Sequence, residues 1–304
     1  MEAQFGGSAL NQKTILNHPV GLFVLFFTEM WERFSYYGMR AILVLFLISS
    51  IGIGGWDWTS SEALSLYGTY TALVYLTPIL GGWIADNKIG YKKAVVIGAI
   101  IMTLGHGFMA MEFSKIFLFI GIACLVIGNG FFKPNITSII SEMYKDTPEK
   151  KDGAYTIFYM GVNAGAFLGI MLCGYIGEKV SWSYGFGLAG VFMLLGMLQF
   201  YFTSKIFGDI GDKPEVTKAV DGEKPEGKLE FEGDRYNPFT SLDKIMVAVA
   251  AFIGVTWVIN DPISKIGGVS FLEMGGTDIS GYYILVGFLL FITLLISRIT
   301  RYPT

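Results

Sequence analysis

The chain is 304 residues long, 53% hydrophobic and only 15% charged, with a mean hydropathy of +0.53 and a net charge of −3. A soluble domain carries about 25% charged residues, so the deficit points to lipid as the main solvent, and so small a net charge argues against a nucleic-acid partner. The two cysteines, Cys124 and Cys173, sit inside apolar runs and read as small core residues, not as a disulfide framework.

Residues 1–19 are polar and mixed, with neither the apolar stretch nor the small-residue cleavage site of a signal peptide. Crossing the hydrocarbon core takes about 20 mostly apolar residues as a helix. Eight segments fit: roughly 20–48, 64–85, 92–111, 115–141, 154–175, 183–205, 241–260 and 281–299. Residues 206–240 are charged and rich in Pro and Gly, and read as a solvated linker between a six-helix bundle (20–205) and a further helix pair (241–304). The fold class is therefore an all-α polytopic membrane protein.

The first span contains Glu29, Glu32, Arg33 and Arg40. At about 2.5–3.5 kcal/mol per central charge the four cost roughly 10 kcal/mol, while the Leu, Ile, Phe and Val residues return roughly 7. Alone the helix is marginal and needs internal pairing. The spacing supplies it: Glu29 and Arg33 are four residues apart and share a face, Glu32 lies beside Arg33, and Tyr36 and Tyr37 extend the stripe by a turn. Either this is a structural ion pair that fixes helix packing, or it is a functional cluster, as intramembrane ionisable groups are by default. Arg33 offers a planar fork that fits a carboxylate. Protonating one glutamate would free that fork for an anionic substrate group.

In the second span Tyr67, Thr71 and Tyr75 recur every four residues. Tyr67 suits an interfacial anchor; Tyr75 lies too deep for one and is a candidate pocket residue. His106, alone in the third span, reads as a buried neutral histidine. In the fourth span Lys133 precedes Pro134 and Asn135. It either snorkels to the interface or meets a carboxylate, and the proline is expected to kink the helix. The fifth span presents Gly161, Gly165 and Gly169 as a close-packing stripe, with Tyr155, Tyr159 and Asn163 on a neighbouring face. Asn163 is either an interhelical hydrogen bond or a cavity residue. No Cys/His/carboxylate cluster suggests a metal, and no nucleophile elbow, phosphate loop or dinucleotide fingerprint suggests an enzyme.

Lys88, Lys92, Lys93, Lys145, Lys150 and Lys151 crowd the loops after the second and fourth spans, whereas the loop after the first holds only Asp57 and Glu62. Positive residues mark the inner side, so a cytoplasmic N-terminus is expected.

Glu29-Met-Trp-Glu32-Arg33-Phe-Ser-Tyr36-Tyr37-Gly38 resembles the E-x-x-E-R-F-x-Y-Y-G signature of the proton-dependent oligopeptide transporter family. Phe132-Lys133-Pro134-Asn135 and Phe158-Tyr159-Met-Gly-Val-Asn163 resemble its fourth- and fifth-span motifs, and Gly82 to Lys93, around Asp86, is similar to a loop motif of the wider major facilitator superfamily, with Asn87 in place of the usual basic residue.

The resemblance implies the superfamily's N-terminal six-helix bundle plus an extra helix pair of the kind bacterial members insert, in the bacterial cytoplasmic membrane. It implies symport of di- and tripeptides with protons as the coupling ion and no further cofactor. Glu29, Glu32 and Arg33 would couple protons. Arg33, Tyr36, Tyr37, Tyr75, Lys133 and Asn163 would contact substrate, and Arg40 and Asp86 would serve gating. A second six-helix bundle would follow Thr304, so a truncated chain is expected, and one bundle alone is not expected to transport. Some members carry nitrate or other anions; Lys133 together with the full E-x-x-E-R unit favours peptides.

Overall fold

Lipid offers a backbone amide no water, so each apolar segment closes its hydrogen bonds within a helix. The computed structural model describes residues 5–111, 114–213 and 238–301 and contains eight α-helices there. They are α1 (Val20–Ile48), α2 (Ser60–Ile84), α3 (Tyr91–Met109), α4 (Lys115–Met143), α5 (Lys151–Lys179), α6 (Trp182–Thr203), α7 (Ser241–Gly267) and α8 (Ser280–Thr300). Seven are long and apolar enough to cross a membrane; α1 is as long as any but carries four charges. The chain divides into two compact units, Met1–Pro214 and Glu215–Thr304.

In the first unit α1 packs against α5 and α6, α3 against α4 and α6, and α2 against α4. Glycines set these distances. An added Cβ at Gly165 would lie 2.2 Å from the Met30 carbonyl oxygen, and one at Gly169 2.2 Å from that of Phe34, so the α5 stripe is where α1 comes closest. Gly98 and Gly128 do the same reciprocally between α3 and α4, at 2.7 Å or less. The helix α4 runs through Pro134 without a break. The amide that Pro134 lacks would have bonded the Gly130 carbonyl, and that carbonyl instead faces Gly81 of α2, where a Cβ would sit 2.0 Å away.

Caps start the helices. Thr59 and Glu62 form a reciprocal capping box on α2: the Glu62 amide donates to Thr59 Oγ1 (3.3 Å) and the Thr59 amide to Glu62 Oε2 (2.8 Å). Pro19, ahead of α1, has no capping side chain. Asn11 supplies one from a distance, its Oδ1 accepting from the Gly21 amide at 2.7 Å. Asn11 belongs to an N-terminal segment that is not merely a polar tail. It turns through a two-stranded hairpin, β1 (Thr14–Ile15) and β2 (His18–Pro19), with Leu16 and Asn17 at positive φ, and is tied to α4 and to the turn Ser204–Phe207 after α6 through Gly6 N to Met143 O (3.0 Å) and Ser8 N to Ile206 O (3.1 Å). His18 Nδ1 meets the Tyr144 hydroxyl at 2.7 Å, and its pKa is lowered by burial and by Lys150.

Residues 206–213, expected to open the linker, are packed against the first unit. Phe207 is buried, Lys92 pairs with Asp212 at 2.8 Å, and Glu142 Oε2 accepts from the Gly211 amide at 2.9 Å, so residues 206–213 are strapped across the ends of α3 and α4. The rest of the expected linker, 214–237, lies outside the described residues. In the second unit α7 and α8 are joined by a hairpin, β3 (Glu273–Met274) and β4 (Thr277–Asp278), turning at Gly275 and Gly276 with φ of 61° and 81°. Arg301 reaches Asp243 at 2.6 Å, closing the other end of the pair.

Gly165→Leu drives a side chain into the Met30 carbonyl and is expected to destabilise the bundle by about 1–3 kcal/mol or more. Gly174, which has open space around it, tolerates the same change. Thermal unfolding in detergent reads the difference, and equal midpoints for the two variants contradict the packing assignment.

Candidate functional site

Because α1 lies against α5 and α6, its polar stripe faces protein. Glu29, Glu32 and Arg33 are 4%, 1% and 4% exposed. Charges so buried require partners, and the helical repeat provides them. Glu32 takes Arg33 in a two-pronged grip: Nη2 donates to Oε1 at 2.8 Å, and Nε donates to Oε2. Glu29, one turn back, comes closest at Nε, with Oε1 at 3.1 Å, an ionic contact without a hydrogen bond, since the Nε–H goes to Glu32. Its Oε2 is buried without a partner. The knot is therefore closed on the Glu32 side and incomplete on the Glu29 side.

The tyrosines expected beside it are there. The Arg33 guanidinium carbon lies 4.8 Å from the Tyr36 ring centre and 5.9 Å from that of Tyr37, within cation–π range. Arg40 donates from Nη1 to the Tyr36 hydroxyl at 3.1 Å and from Nε to the Tyr67 hydroxyl at 2.9 Å. Tyr67, placed by its sequence position as an interfacial anchor, is instead the second hydroxyl that holds Arg40. Its four-residue spacing from Thr71 and Tyr75 was a signal that it shares their face. Among the described residues Arg40 makes no carboxylate pair.

Lys133, on α4, places its ammonium 5.0 Å from the ring centre of Tyr75 on α2, and it acts electrostatically on Glu29. This cation–π contact takes the place of simple snorkelling. Tyr75 is 62% exposed on the surface of this unit. Asn163, exposed on α5 within this unit, makes no side-chain hydrogen bond with other described residues, so it is not an interhelical strut. Asp86 is exposed in the turn Ala85–Ile89 after α2, where it meets the Tyr91 hydroxyl. The structure thus gathers Glu29, Glu32, Arg33, Tyr36, Tyr37 and Arg40 along α1 with Tyr67 opposite, and links Lys133 and Tyr75 to them electrostatically. Asp86 stands apart, in that turn.

Two carboxylates, a guanidinium and an ammonium sum to zero. One added proton leaves one positive charge, which an incoming carboxylate neutralises. At an effective dielectric near 20, each close charge contact is worth about 4 kcal/mol, so trading one Arg33 partner for another is energetically close to even.

A model of the POT family matches residues 92–222. The chain is 41% identical over 194 residues to the uncharacterized transporter YclF of Bacillus subtilis, covering 64% of this chain and 39% of that one. It is 33% identical over 243 residues to a di-/tripeptide transporter of Lactococcus lactis, covering 79% and 47%. A crystal structure of the peptide transporter POT in complex with sulfate superposes with a TM-score of 0.67 at 31% identity, over 97% of this chain and 72% of that one. The chain spans less than half the length of both curated relatives.

Glu32→Ala is expected to cost about 3–5 kcal/mol, as breaking a buried ion pair does, and Glu29→Ala clearly less, because Glu29 holds one Arg33 nitrogen and leaves an oxygen unpaired. Unfolding midpoints in detergent measure both, and a larger loss for Glu29→Ala contradicts the ranking.

Proposed function

This chain belongs to the POT family, and on that premise we propose that it forms the N-terminal half of a proton-coupled symporter of di- and tripeptides. The observation that carries the reading is Arg33, buried and shared between two carboxylates of unequal grip. Glu29 is the proton acceptor: it has the unpaired oxygen and the single contact. Its protonation weakens its hold on Arg33, whose fork then takes the peptide carboxylate while Glu32 keeps the guanidinium aligned. Proton and peptide bind together because each offsets the charge the other brings. Tyr36, Tyr37, Tyr75, Lys133 and Asn163 line the same pocket. Arg40, held only by tyrosine hydroxyls, is available for an acidic partner in the opposite bundle when the transporter changes state, and Asp86 serves the cytoplasmic gate. In this reading the N-terminus is cytoplasmic, the membrane is the bacterial plasma membrane, and alternating access needs a C-terminal six-helix bundle.

The test is uptake of radiolabelled dialanine by proteoliposomes holding the whole transporter, with and without an inward proton gradient. Accumulation that requires the gradient is expected. Uptake that ignores the gradient removes the coupling, and no peptide uptake alongside tight nitrate binding replaces the peptide with a small anion. Arg33→Lys keeps the charge but loses the fork; it is expected to lower uptake about tenfold or more, the equivalent of about 1.4 kcal/mol, at unchanged expression. Glu29→Gln is expected to bind peptide yet no longer respond to the gradient.

A further inference from the structure

The Arg33 knot does not account for every buried polar group near it. A small cavity of about 10 Å³ is enclosed by α1, α2, α3, α4 and α6, and all the residues lining it are buried. Its polar wall comprises Glu32, Tyr36, Tyr70, His106 and Asn129. Asn129 and His106 are each 1% exposed, yet both amide atoms of Asn129 and Nδ1 of His106 have no hydrogen-bond partner. Buried amides are almost always satisfied, and a group orphaned at both ends next to an empty space signals a missing partner.

We infer that this cavity is a water-binding site. Its volume is about that of one water-sized sphere, the least a bound water requires, and it offers more than the two polar partners such a water needs. Water there accepts from the Asn129 amide N–H and donates to the Glu32 carboxylate; His106 Nδ1 takes either role according to its tautomer. Other occupants fit worse. Both Glu32 oxygens already take Arg33, so little charge remains for a cation, and the space excludes anything larger. The site gives Glu32 hydration inside the bundle, away from bulk solvent. The assignment stands whether or not the chain moves peptides.

The cavity carries its own reporters: Met102 and Met193 line it and are 3% and 0% exposed, while Met143 on α4 is 0% exposed and lies outside it. Hydroxyl radicals made by synchrotron pulses from bound water oxidise the side chains around that water. In the native protein Met102 and Met193 are expected to be labelled well above Met143, and Asn129→Leu, which fills the space and removes the amide, is expected to drop them to the Met143 level. Native labelling no higher than that of Met143 means a dry cavity and overturns the assignment, with no variant needed. Labelling that survives Asn129→Leu means penetrating bulk solvent and overturns it as well.

Discussion

A guanidinium cannot sit in the middle of a membrane helix without carboxylates beside it, and two carboxylates cannot share a helical turn there without the guanidinium. Glu29, Glu32 and Arg33 answer each other's requirement within five residues of α1. Much else in the first unit follows. The helix that carries them has to be central, so α5 and α6 cover it. Close cover requires small residues, and Gly161, Gly165 and Gly169 let the α5 backbone approach the α1 carbonyls. The composition that makes α1 a poor lipid-facing helix is what makes it a good interior one.

The knot is asymmetric, and its chemistry comes from that. A symmetric pair of salt bridges would be a strut, stable in one state. Here Glu32 binds in two places and Glu29 in one, with an oxygen left over. In the proposed reading Glu29 is the carboxylate whose protonation loosens the knot, because it has the fewer contacts and the unpaired oxygen. Lys133 adds a positive charge that acts on Glu29, and the Tyr36 and Tyr37 rings cover the guanidinium within cation–π range.

The local part of this was legible in the sequence. The four-residue spacing of Glu29 and Arg33 is a helical repeat, the ends of α1 fall at the expected residues 20 and 48, and the glycine stripe on α5 announced a close contact. What stayed hidden depends on residues far apart in the chain. Asn11 caps α1 from outside it, Ser8 bonds Ile206 across 198 positions, and residues 206–213 fold back although their Gly and Asp content resembles a linker. Tyr67 near a helix start reads as an anchor until Arg40 is placed opposite. The Asn129 and His106 cavity has no sequence pattern, because it arises where five helices converge.

The central claim is that Arg33 passes from Glu29 to a peptide carboxylate as a proton arrives. Calorimetric titration of the whole transporter with a dipeptide, repeated in buffers of different ionisation enthalpy, counts the protons that accompany binding. The account predicts net uptake of about one proton per peptide near neutral pH, since freeing the guanidinium requires neutralising a single carboxylate, and no uptake for Glu29→Gln. Binding heats that do not vary with the buffer in the native protein would contradict it.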